Sequence, residues 1–262
     1  MITRKFNSGW KYWKDKDSFA LVWTVPDDAV EVTLPHDAMI GETAHEQSRN
    51  GGNTGFLDSE NLTYVKTIDV PLEYEGKEII LKLEGSYMNT FVYVNGQLAG
   101  KNPYGYTGFT VRLNDFLNYG CENEIRIQVR AGAMNNSRWY SGAGIYRDVY
   151  LLISDPVHIE PDGIRVTTEN IDDGKAVICV ETELRNSGSR KAVFSVKTEI
   201  SNDVGDIVAE DTSEVVIESG NGRISRQRIL IKQACLWSAE TPVLYKASVK
   251  LIRAGADVEK RV

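Results

Sequence analysis

Apolar and polar residues alternate along most of this chain, and that alternation restricts its fold more than any other feature. It is clearest in the stretches 62–70, 79–83 and 125–129. A period of two places successive side chains on opposite faces of a strand, so each stretch predicts a β-strand with one buried face. Asn95-Gly96 lies between two such stretches and predicts a tight hairpin. The only helical signal is short, a single turn over 113–117.

The length of the chain and a segment with two prolines and a glycine predict two domains. A chain of 262 residues can form two cores. The segment 154–163 contains two prolines and a glycine, which predicts an extended linker and places the boundary between 1–155 and 156–262. About seven short strands follow it, as in an immunoglobulin-like domain. The first region has more strands. The predicted fold class is therefore all-β, a jelly-roll β-sandwich followed by an immunoglobulin-like β-sandwich.

Composition argues against several classes of partner. The formal charge of −7 and the lack of a basic cluster argue against nucleic acid. No apolar run is long enough to span a membrane, and the start lacks the apolar run of a signal peptide, so we expect a cytoplasmic protein without membrane contact. The three cysteines, Cys121, Cys179 and Cys235, are too far apart for a disulfide framework or a zinc site. No metal or cofactor is predicted.

The richest loop of the chain lies in 135–152. It places arginine, tryptophan and tyrosine side chains around Gly142 and Gly144, just before a strand-like run. Aromatic rings stack on the C–H faces of sugars while guanidinium and amide groups bind hydroxyls, so this composition suits a saccharide. The alternative is a glycine-rich turn with Arg147 and Asp148 as a solvated ion pair. A nucleotide loop is disfavoured because the third glycine is missing.

The stretch 137–149 of this loop, Ser-Arg-Trp-Tyr-Ser-Gly-Ala-Gly-Ile-Tyr-Arg-Asp-Val, resembles a signature of glycoside hydrolase family 2. It ends the family's amino-terminal sugar-binding domain. Three shorter segments, 32–37, 91–96 and 236–245, resemble the family in the same order. The family contains β-galactosidases, β-glucuronidases and β-mannosidases.

The resemblance implies a jelly-roll domain, an immunoglobulin-like domain and a (β/α)₈ barrel that holds two catalytic glutamates. Retaining glycosidases need two carboxyl groups roughly 5 Å apart. We find no counterpart of the barrel here, and therefore expect an inactive amino-terminal fragment, most simply of a β-galactosidase. Its loops would border the pocket for a β-galactoside or related carbohydrate. It would pack against the missing barrel, and homo-oligomerisation stays open.

The resemblance also selects site residues. Arg138, Trp139 and Asn136 are predicted to bind substrate, because the family's signature loop faces the mouth of the active site. Asn53 is predicted to lie beside them, on the polar loop 41–55, which is too long for a plain hairpin. No catalytic residue is assigned to this chain.

Several alternatives remain. The chain is also consistent with a freestanding carbohydrate-binding module or a non-catalytic scaffold, since fold alone does not determine function. His36-Asp37 is either a catalytic dyad or, in better agreement with the absence of a nearby nucleophile, a structural hydrogen-bonded pair. Trp10, Trp13 and Trp23 form either a second sugar platform or part of the core.

Overall fold

The computed structural model describes residues 1–15, 24–132 and 140–262, and they form almost only β-structure. These residues form two compact units, Ile2–Ile153 and Ser154–Val262, and Met1 is grouped with the second. The described helices are three single 3₁₀ turns, Gly51–Thr54, Leu72–Tyr74 and Asn114–Phe116, none of them long and apolar enough to cross a bilayer. The all-β fold class is confirmed, and so is the helical turn predicted within 113–117.

The first unit contains two sheets. Its strands are β1 (Ile2–Lys5), β2 (Trp10–Lys14), β3 (Val30–Val32), β4 (Asn61–Val70), β5 (Glu78–Leu83), β6 (Thr90–Val94), β7 (Gln97–Asn102), β8 (Phe109–Arg112), β9 (Cys121–Arg130) and β10 (Val149–Ser154). One sheet has the order β1-β10-β5-β8 and the other β3-β2-β4-β9-β6-β7. Alternate apolar residues of both sheets form a single core, for which Leu81 and Ile127 are typical.

The predicted hairpin is confirmed at Asn95-Gly96. Val94 pairs with Gln97, and both turn residues have positive φ, 49° and 80°. Asparagine and glycine tolerate this conformation best, which explains why the turn forms here.

The prediction of one buried face per strand is wrong for β9. Its inward residues are buried as expected, but Arg126 and Gln128 on the other face are only 1% and 4% exposed. The Arg126 guanidinium lies 5.5 Å from the Trp13 ring centre, and its Nε lies 3.0 Å from Glu124 Oε1. A paired and stacked guanidinium is tolerated in such a position, so the alternation correctly located the strand but not its exposure.

The structure describes two of the three tryptophans of the amino-terminal segment. Trp10 is fully buried and Trp13 is 8% exposed, so neither belongs to an open sugar platform. The Trp10 indole donates a hydrogen bond to the Phe6 carbonyl, 2.8 Å away. These two are core residues, while Trp23 lies outside the described residues.

The second unit is a sandwich of three and four strands. Its strands are β11 (Val157–Asp172), β12 (Lys175–Asn186), β13 (Ala192–Ser201), β14 (Ile207–Ile217), β15 (Gly222–Ile231), β16 (Lys246–Arg253) and β17 (Ala256–Arg261). The sheets have the orders β11-β12-β15 and β14-β13-β16-β17. Val180, Val196 and Val249 are fully buried in its core. Seven strands in this arrangement agree with the predicted immunoglobulin-like sandwich.

The predicted linker over 154–163 is wrong except at 155–156, because Ser154 ends β10 and β11 begins at Val157. From Val157 onward the chain already belongs to β11 and pairs with β12. The pairing register shifts between Ile159 and Ile164, and Pro161 falls in that interval. A bulge tolerates the missing N–H of proline, which is why the proline did not end the strand.

Candidate functional site

Two of the segments singled out in the sequence lie side by side in the first unit. The backbone N–H of His36 donates to the Ile145 carbonyl at 2.8 Å, and the N–H of Ala38 donates to the Ala143 carbonyl at 2.8 Å. Residues 36–38, which follow β3, are therefore paired with residues 143–145 of the signature loop (137–149). Segments more than a hundred residues apart in sequence build one local structure.

The carboxylate of Asp37 holds this pair of loops together. Its Oδ1 accepts hydrogen bonds from the backbone N–H of Ala143 at 2.9 Å and of Met39 at 3.0 Å. Its Oδ2 accepts one from the Tyr140 hydroxyl at 2.7 Å. Hydrogen bonds to an ionised acceptor are stronger than neutral ones, so this carboxylate orients the backbone of the signature loop.

His36 takes different partners from its neighbour. Its Nδ1 lies 2.8 Å from the Tyr64 hydroxyl, and the Tyr12 ring packs on the imidazole at a centroid distance of 4.3 Å. Burial lowers the pKa of His36, although the Asp37 carboxylate opposes that shift. Burial raises the pKa of Tyr64, whose hydroxyl is also hydrogen-bonded by the Ile145 backbone. A neutral imidazole that accepts from a neutral phenol fits these contacts.

The predicted pairing of His36 with Asp37 therefore needs correction. The two side chains are hydrogen-bonded to different partners and not to each other. The imidazole of His36 bonds to Tyr64, and the carboxylate of Asp37 bonds to the signature loop. The arrangement favours the structural interpretation over the catalytic dyad. Sequence adjacency was misleading because successive side chains of an extended segment point in opposite directions.

Tyr140 is the first described residue after the 133–139 segment. It is 44% exposed, and its hydroxyl is anchored on Asp37. Burial, followed by the hydrogen bond to Asp37, raises the pKa of Tyr140 well above its usual value. The phenol therefore stays a hydrogen-bond donor to Asp37 across the physiological range.

The four predicted substrate-binding residues have different outcomes. Arg138, Trp139 and Asn136 lie outside the described residues. Asn53 is exposed in the 3₁₀ turn Gly51–Thr54, where its backbone N–H donates to the Asn50 carbonyl at 3.2 Å. Its role in binding stays a prediction.

The polar loop 41–55 is bonded to Gly132, which precedes the segment 133–139. The Arg49 guanidinium donates to the Gly132 carbonyl at 2.8 Å, and the Gly132 N–H donates to Asn61 Oδ1 at 3.1 Å. Gly132 is the last described residue before the predicted binding residues. The loop that carries Asn53 thus contacts the residue just before 133–139, and Asp37 contacts Tyr140, the residue just after it.

Sequence reasoning missed one residue of this region, Tyr87. Its backbone forms two hydrogen bonds with Gly144. The Tyr87 N–H donates to the Gly144 carbonyl at 2.9 Å, and the Gly144 N–H donates to the Tyr87 carbonyl at 3.1 Å. Its hydroxyl is hydrogen-bonded to Ser141. No local pattern distinguishes this tyrosine, since its role depends on a non-local bridge.

Among the described residues, no group of histidine, cysteine, aspartate and glutamate side chains has the geometry of a metal site.

Comparison with known proteins gives a consistent assignment. A family model described as glycosyl hydrolases family 2 matches residues 157–262. A beta-galactosidase of Bacteroides ovatus is 32% identical over 249 residues, which is 95% of this chain and 29% of that protein. A beta-glucuronidase of Formosa agariphila is 28% identical over 271 residues, 93% of this chain and 27% of that protein.

Solved structures agree over the full length. A family 2 glycosyl hydrolase from Bacteroides cellulosilyticus superposes with a TM-score of 0.89 at 25% identity and covers 100% of this chain and 34% of its own. A beta-glycosidase from Bacteroides vulgatus gives 0.84 at 29% identity, covering 100% of this chain and 33% of its own. The chain thus spans about a third or less of the length of these four proteins. The signature loop, the two sandwiches and these matches together show that the chain belongs to glycosyl hydrolases family 2.

Proposed function

We propose that this chain is a non-catalytic part of a family 2 glycoside hydrolase that removes terminal β-linked sugars, with β-galactosides as its substrates. The observation that supports the proposal is the convergence at Asp37 of the two segments that resemble the family, because that carboxylate positions Tyr140 and Ala143, which directly follow the predicted binding residues. The choice of galactosides follows the beta-galactosidase of Bacteroides ovatus, at 32% identity.

Arg138, Trp139 and Asn136 would then border the substrate pocket, with Asn53 beside them. The two catalytic glutamates would belong to a part of the protein outside these 262 residues, as the family resemblance implies. In this proposal the sandwich contributes hydrogen bonds and stacking to a sugar that is cleaved by groups elsewhere.

An exposed apolar groove on the second unit supports association with such a part. Trp237 and Leu244 are 62% and 69% exposed, and they border a cavity of about 440 Å³ that also contains Val166, Ile171 and Tyr245. Soluble surfaces rarely leave contiguous apolar patches uncovered, and such patches usually mark interfaces. This groove favours a component of a larger protein over a freestanding carbohydrate-binding module.

The isolated chain is expected to be catalytically inactive. Purified residues 1–262 should not release chromophore from aryl β-galactosides, β-glucuronides or β-mannosides above a heat-denatured control, because the paired carboxyl groups are supplied from elsewhere. A form extended to the length of the relatives should hydrolyse the galactoside fastest. Turnover by the purified short chain would refute the assignment, and a preference of the extended form for the glucuronide would change the substrate.

Replacing Arg138 or Trp139 by alanine in the extended enzyme is expected to lower kcat/KM by roughly 5- to 150-fold. The range corresponds to the ~1–3 kcal/mol of one hydrogen bond or stacking contact to the substrate. Exposed Arg223, on the second unit, provides a matched control whose alanine variant should keep full activity. A melting temperature that falls steeply for the Trp139→Ala variant, with unchanged kinetics in the folded fraction, would instead assign Trp139 to the core.

A further inference from the structure

A cluster of tyrosines outside the loops described above forms an exposed aromatic surface on the first unit. Tyr104 and Tyr106 lie in the connection between β7 and β8, with ring centres 5.7 Å apart and planes inclined by 63°. The ring of Tyr106 in turn packs on that of Tyr87 at 5.4 Å. Tyr104 is 58% and Tyr106 44% exposed, whereas Tyr87 is 8% exposed. The exposed ring of Tyr106 thus rests on the buried ring of Tyr87, and the exposed ring of Tyr104 rests on Tyr106.

The loop that presents these rings is held in place. The Tyr146 hydroxyl donates to the Gly105 carbonyl at 2.7 Å, and the Asn102 amide donates to the Tyr104 carbonyl at 2.8 Å. Gly105 packs so closely on Tyr87 that an added Cβ would lie 3.0 Å from its Cε2 atom. A surface that is already ordered loses little conformational entropy when a ligand binds.

The cluster is continuous with the candidate site. Tyr87 connects the two, since its ring supports Tyr106 while its backbone pairs with Gly144 of the signature loop. The exposed guanidinium of Arg147 lies 5.4 Å from the Tyr146 ring centre and adds a hydrogen-bond donor beside the rings. Aromatic faces, phenol groups and a guanidinium therefore lie next to the described part of the signature loop, at Gly144 and Tyr146.

We propose that Tyr104 and Tyr106 form an accessory subsite that binds a β-linked oligosaccharide at sugar units remote from the bond to be cleaved. Ring faces stack on the C–H faces of pyranoses, and the adjoining polar groups bind their hydroxyls. Because the planes are inclined by 63°, the two rings cannot both lie flat on one ribbon, so the site suits a single soluble chain that bends. The formal charge of −7 disfavours nucleic acid as the occupant.

The choice of a β-linked galactose oligosaccharide as the ligand rests on the proposed function, and titration of the 262-residue chain tests the subsite without catalysis. By calorimetry, galactotetraose is expected to bind in the millimolar range and galactose more weakly. Tyr104→Ala and Tyr106→Ala should each weaken tetraose binding about tenfold, equivalent to ~1.4 kcal/mol. The two Tyr→Phe variants keep the rings and should retain most of the affinity. Trp237→Ala, which removes an exposed aromatic of the second unit, should leave it unchanged.

In the extended enzyme, Tyr104→Ala should raise KM for galactotetraose and leave kcat/KM for an aryl monogalactoside unaltered. No binding of tetraose to the wild-type chain, or an equal loss for Trp237→Ala, would overturn the subsite. So would self-association of the wild-type chain that both alanine variants abolish, since it would assign the rings to a protein contact. An extended protein that cleaves no glycoside while the chain still binds tetraose would refute the proposed function and keep the subsite.

Discussion

Replacing Gly144 by alanine is expected to lower the free energy of unfolding by about 3–5 kcal/mol. This is the largest loss of stability that we predict for any single substitution described. Gly144 has a φ of +129°, and a Cβ there would lie 2.7 Å from the His36 carbonyl oxygen and against the Tyr64 hydroxyl. Both the strained conformation and the overlap contribute to the cost.

The overlap cannot be relieved cheaply, because the opposing atom belongs to a paired backbone. His36 donates to Ile145 at 2.8 Å, and Gly144 itself exchanges hydrogen bonds with Tyr87. Moving either segment aside would break those bonds. The misplacement would extend to the signature loop, so we also expect loss of activity in the extended enzyme.

Urea unfolding of the 262-residue chain measures the effect, with Gly76→Ala as the matched control. Gly76 has a φ of +81°, but an added Cβ there meets nothing within 4 Å. It should therefore show only the conformational cost, about 1 kcal/mol. Equal destabilisation by the two variants would show that contact with His36 and Tyr64 has no energetic consequence.

Replacing Asp37 by alanine is expected to destabilise the first unit by about 2–4 kcal/mol, because it removes three hydrogen bonds at once and leaves the Ala143 and Met39 N–H groups without their acceptor. Asparagine keeps an oxygen for both N–H groups, so Asp37→Asn should cost less than half as much. The free energy of unfolding in urea gives the stability of each variant.

Tyr140 distinguishes this explanation from a general loss of packing. Its pKa is raised by burial and by the Asp37 hydrogen bond, so Asp37→Ala should lower the pKa of that phenol. Ultraviolet titration of the ionising tyrosines, compared with Tyr140→Phe, would detect the change. If the Asp37→Ala chain unfolds no more easily than the wild type, Asp37 does not organise the loop.

Patterns of local origin were predictable from the sequence. The hairpin at Asn95-Gly96 depends on φ preferences of two adjacent residues, and the strands on a period that a few residues reveal. The β11 strand was missed because a proline such as Pro161 usually indicates the end of a strand. Only pairing with β12, which carries the strand past its bulge, overrides that signal.

The residues of the candidate site divide in the same way. The glycines, arginine and aromatics of the signature loop were visible as a composition suited to sugars. The position of Asp37 under that loop was not, because its partners Tyr140 and Ala143 are more than a hundred residues away. Adjacent residues suggested a pairing of His36 with Asp37, and the structure separated them.

By itself, the sequence determined the all-β class and the family, and it predicted a loop with sugar-binding chemistry, because strand periodicity, turn residues and side-chain chemistry are local properties. Only the tertiary structure decided which carboxylate orients that loop, that Arg126 is buried, and that Tyr104 and Tyr106 form an open surface beside it. Hydrogen bonds and burial between distant segments depend on how the sheets pair and pack. The spacing of residues along the chain does not encode that information.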